Sequence, residues 1–167
     1  MIYAMILSVI ILFWYILFLL FIKNKISKLE KFILQKFKEK NNLIPSIYEV
    51  TKKHINKHEE IFNEILILKN KDYSESLYLF NLLERSRTYK LIHKEFDFIL
   101  RVCSKHNKLE KNDKFTMIKE EIIDKSHCVW ENIIKYKKAV KIFNKLINIK
   151  NITIVWLLIP INKINSI

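Results

Sequence analysis

The sequence predicts an all-α fold, a single N-terminal transmembrane helix followed by an antiparallel up-and-down four-helix bundle. Three observations predict it. Met1 to Ile22 carry no charged side chain, and Lys23, Lys25, Lys28 and Lys31 follow at once. Beyond them, apolar residues recur at three- and four-residue steps, the period of a helix with one buried face. The chain also has no Gly and only two Pro, which disfavours strands joined by tight hairpins. The expected organisation is a membrane anchor over 1–22, a cytoplasmic helical bundle over 23–150 and an apolar C-terminal tail over 151–167.

The first element is long enough to cross a bilayer. At about 1.5 Å per helical residue, Met1 to Ile22 covers roughly 33 Å against a hydrocarbon core of about 30 Å. Ile10 to Ile22 offers no polar face, and a helix apolar all round belongs in lipid or deep inside a large protein. A chain of 167 residues has no such depth. A cleaved signal peptide would need a basic stretch ahead of a shorter apolar core and a small-residue cleavage site. Neither is present here, so a retained span is expected. Seven lysines against two glutamates lie between Lys23 and Lys40, and no Lys or Arg precedes the run. Positive charge stays cytoplasmic, which sets the N-terminus outside and the rest of a single-pass chain inside. Cys103 and Cys128 lack disulfide-scaffold spacing, as is expected in a reducing compartment.

Four helices are expected after the anchor. Lys23 to Lys40 continues the membrane helix, with Ile26, Leu29, Phe32, Ile33 and Phe37 on its apolar stripe. Asn41, Asn42 and Pro45 mark a break or a kink, since Pro is tolerated in a first helical turn and disfavoured inside a helix. The next helix, Leu43 to Lys69, carries Ile44, Ile47, Tyr48, Ile55, Phe62, Ile65 and Leu68. From Tyr73 to Ser104, one face stacks Leu79, Leu82, Ser86, Tyr89, His93, Phe96, Leu100 and Cys103, with Asp72 and Glu75 at capping-box spacing. The last helix runs from Asn112, a candidate N-cap, to Asn148. Its stripe is Phe115, Ile118, Ile122, Val129, Ile133, Tyr136, Val140, Phe143 and Ile147, with Lys125 the one interruption. If Pro45 breaks the helix, the four alternate in direction and the last returns to the membrane. Ile152 to Ile161 cannot span as a helix. This tail either lies in the interface with Trp156 at headgroup depth or closes the end of the bundle core.

The formal net charge of +13 invites a nucleic-acid partner, but composition argues against one. Ile, Lys and Asn number 30, 27 and 15 against three Arg, the mark of a bias toward AT-rich codons. Direct readers of bases and phosphates favour Arg for its bidentate fork. The charge is also uneven, +7 over 23–57, −4 over 58–84 and +9 over 85–150. The first basic block abuts the membrane, which makes lipid headgroups the expected partner of Lys23, Lys25, Lys28 and Lys31.

Standard catalytic motifs are missing. A phosphate-cradling loop, a dinucleotide fingerprint and a nucleophile elbow all need Gly. His58-Glu59-Glu60 begins like a zinc-protease helix, but the second histidine position is Phe62. His54 and His58 lie one turn apart without an obvious third ligand, and His58 reads as a buried polar residue beside Ile55, Phe62 and Ile65. Cys103, His106, His127 and Cys128 fall on different helices, with His127 and Cys128 pointing about 100° apart. Asp124-x-x-His127 is the one approximation to a di-iron pair and fails by count. His93, on an apolar stripe, reads as a satisfied core histidine. No catalytic, cofactor-binding or metal-ligating residue is therefore assigned, and no cofactor is expected.

Taken in order along the chain, these segments resemble the LemA family of bacterial membrane-anchored helical proteins. Leu43-Ile44-Pro45 resembles the family's L-I-P signature, and His58-Glu59 its H-E pair. Leu109, Asn112 and Phe115 match its L-x-x-N-x-x-F segment. Tyr136, Ala139, Val140, Phe143, Asn144 and Ile147 match its Y-x-x-A-V-x-x-[YF]-N-x-x-I pattern. The chain departs from the family at His106-Asn107, in place of Tyr-Pro, at Lys150-Asn151, in place of Phe-Pro, and in lacking Gly. The resemblance implies a four-helix cytoplasmic bundle on a single-pass anchor in a bacterial cell membrane, with no enzymatic activity attached.

The functional expectation is a scaffold or adaptor at the membrane, not an enzyme. It holds headgroups through its basic helix and meets an unidentified protein partner through a bundle face; homo-oligomerisation is left open. The alternatives are a metal-dependent enzyme hosted in the bundle and a membrane-shaping, lipid-binding protein acting through its tail.

Overall fold

The computed structural model describes residues 2–55, 58–76, 82–152 and 163–164. Its regular elements are all helices: α1 (Ile2–Asn41), α2 (Ile44–Thr51), α3 (His58–Ser76), α4 (Leu82–Ser104), α5 (Asn107–Glu110) and α6 (Asp113–Ile152). No strand occurs among the described residues. One helix, α1, is long and apolar enough near the N-terminus to cross a membrane.

Sequence chemistry sets several boundaries. Asn42 N donates to Lys38 C=O and Leu43 N to Lys40 C=O, both at 3.0 Å, and there the α1 ladder stops. Pro45 has no N–H to give Asn41 C=O, the next acceptor in line. It stands instead in the first turn of α2, where its fixed φ suits a helix start, and Ile47 N donates to Leu43 C=O to open the new ladder. Pro45 thus separates two helices by the two-residue turn Asn42-Leu43. Asn112 caps α6 as expected, its Oδ1 accepting from Phe115 N at 3.0 Å, the third residue of the helix. The single turn α5 lies between α4 and that cap and sends Leu109 into the core.

Two helix boundaries differ from those the periodicity predicts. The expected helix over Leu43–Lys69 is interrupted after Thr51, and α3 begins at His58. There the ladder closes on one acceptor, His54 N and Ile55 N both donating to Thr51 C=O at 2.9 and 3.2 Å. Asp72, expected as a cap, lies inside α3, which continues to Ser76. Its polar surroundings contain no Pro or Gly, so nothing there ends the backbone ladder. The expected core positions Leu79 and Leu82 and most of the tail, 153–162, lie outside the residues whose side chains are described.

The chain divides into two compact units, one built on residues 33–131 and the other on 1–32 with 132–166. In the first, α2 packs on α3, α3 on α4, and α4 on α5. Its core joins Ile44, Ile47, Phe62 and Ile65 to Ile92, Phe96, Ile99, Cys103, Leu109 and Phe115. The end of α1 joins this unit through Phe37, stacked on Tyr89 with ring centroids 3.8 Å apart. Lys125, the one interruption on the α6 stripe, is half-buried and ion-paired to Glu121 at 3.2 Å and Glu39 at 3.4 Å. In the second unit, α1 buries Leu19, Ile22 and Ile26, and α6 buries Tyr136, Ala139, Val140, Phe143 and Ile147. Tyr15 O–H donates to Leu146 C=O at 2.5 Å. The other faces of the uncharged run, among them Ile6, Ile10, Trp14 and Phe21, are exposed.

Candidate functional site

The basic band after the uncharged run projects from α1. Lys23, Lys25, Lys28 and Lys31 are all exposed, and none has an ion-pair partner among the described residues. Helical geometry divides them. Lys25 and Lys28 share a face with Phe21 and Phe32, whereas Lys23 points to the opposite side. That shared face forms an open groove of about 500 Å³, lined by Phe21, Asn24, Lys25, Lys28, Leu29, Phe32 and Asn132. Aromatic and aliphatic surface next to two ammonium groups suits an amphiphile with an anionic head. Phe32 stays exposed here, where the periodicity had placed it on the buried stripe.

A second polar site, in the other unit, lies at the end of α1. Lys40 is 2% exposed, and its Nζ sits 3.0 Å from His93 Nδ1 and 5.0 Å from the centre of the Phe96 ring. His93 Nε2 faces Asp97 Oδ2 at 3.6 Å. Burial pushes the Lys40 ammonium down to about 8, partly opposed by the charge of Asp97. The His93 pKa is lowered too, by burial and then by Lys40, again against Asp97. A cation on Lys40 therefore favours a neutral His93 with a bare Nδ1 accepting from Nζ and an Nε2–H directed at Asp97. The reading of His93 as a core histidine does not hold. Its side chain is 49% exposed, because Ile92 and Ile99 take the buried face of α4. Lys40 itself escaped the sequence reading as one lysine among many. Its signal was register, since it follows Ile33 and Phe37 on the buried stripe of α1.

His58 is 6% exposed, stacked on Phe62 with centroids 4.5 Å apart and edge-on to Tyr48 at 4.2 Å. Its Nε2 lies 3.0 Å from Thr51 Oγ1. Thr51 gives its hydroxyl proton to Ile47 C=O, so the threonine oxygen is free to accept from His58 Nε2–H. Nδ1 is then a bare acceptor, buried without a hydrogen-bond partner. Burial lowers the His58 pKa, with the Tyr48 backbone opposing. His54 faces a different groove, shared with Lys53, Lys105, His106, Asn107 and Lys108, so the two histidines do not converge. Cys103 is a buried core thiol, pushed up to about 12 by burial. His127 pairs with Glu131 at 3.6 Å. No cluster of three metal-ligating side chains occurs among the described residues.

The remaining singled-out positions take structural places. Ile44, Leu109, Phe115, Tyr136, Ala139, Val140, Phe143 and Ile147 are buried, Pro45 opens α2, Leu43 packs against the core from its edge, and Glu59 adds a negative charge to the first turn of α3. Asn144 does more than packing requires. Its amide donates to Ile164 C=O at 2.8 Å and accepts from Ile164 N at 3.0 Å, fastening Ile164 to α6 through both of its backbone groups. Compared with protein-family models, curated proteins and solved structures, the chain matches none.

Proposed function

We propose that this protein is a LemA-like, membrane-anchored helical bundle that works by binding, as a scaffold or adaptor on the cytoplasmic face of a bacterial membrane. The observation that carries the reading is the exposed, uncharged first half of α1, continuous in one helix with a lysine-rich second half. A helix of that kind is stable in water only if its apolar surface is covered, and most of this one is open. The lysine asymmetry supports an external N-terminus. In this reading Lys25 and Lys28 hold anionic headgroups, each gaining about 1 kcal/mol near the surface, with Lys23 and Lys31 adding charge around them.

The bundle is read as antiparallel and up-and-down, its arms being the end of α1, α2 with α3, α4, and α6, with α5 as a one-turn connection. Support for the family comes from the roles of the matched positions: buried apolar residues, the Asn112 cap, the Pro45 helix start, and His58 tied to Thr51.

The test is fractionation of the full chain expressed in bacteria. The protein is expected to stay with the membrane through alkaline carbonate, and a C-terminal tag to be cut by protease only in inverted vesicles. Extraction by carbonate, or cutting of the tag in intact spheroplasts, overturns the reading. Crosslinking in the membrane then identifies the partner as whichever protein is recovered in fixed ratio to the chain.

A further inference from the structure

The pairing of α1 with α6 meets a conflict at a bilayer. Asn132 of α6 lines the groove beside Lys25 and Lys28, and Leu146, further along α6, reaches Tyr15 within the uncharged run. Lys137, Lys138, Lys141 and Lys145 sit between those two points, all exposed. If α1 inserts to Ile22 with this pairing intact, α6 is drawn in with it. By this register Lys141 and Lys145 come level with about Leu20 and Ile16 and enter hydrocarbon, a cost that weighs against keeping the Tyr15–Leu146 contact. Apolar burial loses its advantage in the same step, because lipid covers Leu19 and Ile22 as well as protein does. If instead the lysines stay in water, Ile2–Trp14 alone is left to insert, roughly 20 Å of helix against a core of about 30 Å.

We infer that the end of α6 exchanges partners at the bilayer, leaving α1 as Ile2–Ile22 inserts and lying on the anionic membrane surface instead. The inference rests on the spanning reading proposed above. The released segment has the form such a surface takes. Tyr136, Val140, Phe143 and Ile147 fall on one side of α6, and Lys137, Lys138, Lys141 and Lys145 on the other. The apolar side sinks to the acyl boundary and the lysines reach anionic headgroups, which is the charge complementarity that selects this occupant over an apolar protein groove.

The experiment uses the full chain with Cys103→Ala and Cys128→Ala, reconstituted in vesicles of phosphatidylglycerol and phosphatidylcholine. A short bismaleimide is offered to two pairs, Tyr15→Cys with Leu146→Cys, and Lys28→Cys with Asn132→Cys. The expected result is a 28–132 product with loss of the 15–146 product. A dye on Phe143→Cys is expected to report lipid contact, and one on Lys141→Cys to stay open to an aqueous quencher. A nitroxide on Ile10→Cys reads the depth of the run. Joining of 15 to 146 as readily as 28 to 132 with Ile10 at bilayer depth overturns the inference alone, as does a Phe143 dye that reports no lipid contact. Ile10 at the surface removes the spanning reading and the inference with it.

Discussion

Two buried polar residues show how single side chains tune this fold. Thr51 is fully buried and serves Ile47 C=O and His58 Nε2 together. Thr51→Val keeps the shape and removes both bonds, leaving His58 with a buried unpaired N–H. A loss of about 1–3 kcal/mol is expected in urea unfolding, with the change seen in the midpoint and not in the slope. Lys40 acts in the opposite sense. Its folded pKa of about 8 lies below the ordinary lysine value of 10.5. Between those two values the unfolded chain binds the extra proton, so stability rises with pH across that window. Below pH 8 both states are protonated and the cost of burying the ammonium is fully present, about 3 kcal/mol. Lys40→Met is therefore expected to stabilise the protein at pH 7, and its advantage over wild type to shrink as pH climbs from 8 toward 10.5. Comparing the variant with wild type at each pH cancels Cys103 and Tyr136, which burial pushes up to about 12 and which titrate in both chains. An advantage constant over that range would remove Lys40 as its source. His58 was legible in the sequence as a buried polar group because apolar residues surround it at helical spacing. Its threonine partner was not, since a hydrogen bond across a break leaves no periodic trace.

At the scale of the element, legibility followed the strength of local chemistry. The start of α6 was readable because Asn112 is followed by a periodic run, and a cap is a local interaction. Asn112→Ala is expected to cost about 1 kcal/mol, and Asn112→Ser, which keeps an oxygen acceptor for Phe115 N, to recover most of it. Thermal unfolding of the three chains checks the order. The break at Pro45 was readable for a similar reason, a missing donor. The interruption between α2 and α3 was not. Lys52, Lys53, His54 and Ile55 contain no Pro or Gly, and the apolar positions Ile47, Ile55, Phe62 and Ile65 keep a helical rhythm across it. Tertiary burial wins there over propensity, seating Ile55 in the core from a non-helical backbone. The candidate headgroup site was half legible. Four lysines in sequence marked a basic band, but only helical phase places Lys25 and Lys28 in one groove with Phe21 and Phe32.

The charge of the whole molecule then has to be weighed against that groove. With a formal charge of +13 and lysine spread along most of the chain, a purely diffuse attraction to anionic lipid would not depend on which lysines supply it. The groove predicts otherwise. Lys25→Gln with Lys28→Gln and Lys23→Gln with Lys31→Gln remove the same net charge from the same band, so a diffuse mechanism treats the two double variants alike. If headgroups seat between Lys25 and Lys28, the first pair loses about 2 kcal/mol of local lipid selectivity, some ten- to thirty-fold, while the second loses only the shared background. The measurement is energy transfer from Trp14, left as the sole tryptophan by Trp130→Phe and Trp156→Phe, to dansyl-labelled phosphatidylglycerol or phosphatidylcholine around the reconstituted chain. Trp14 lies within the uncharged run and is exposed, so it reports the lipids that surround α1. Enrichment of phosphatidylglycerol is expected in wild type and in the 23/31 variant, with loss in the 25/28 variant. Equal loss in both would return the basic band to a diffuse cloud of charge, and the groove would then hold no lipid of its own.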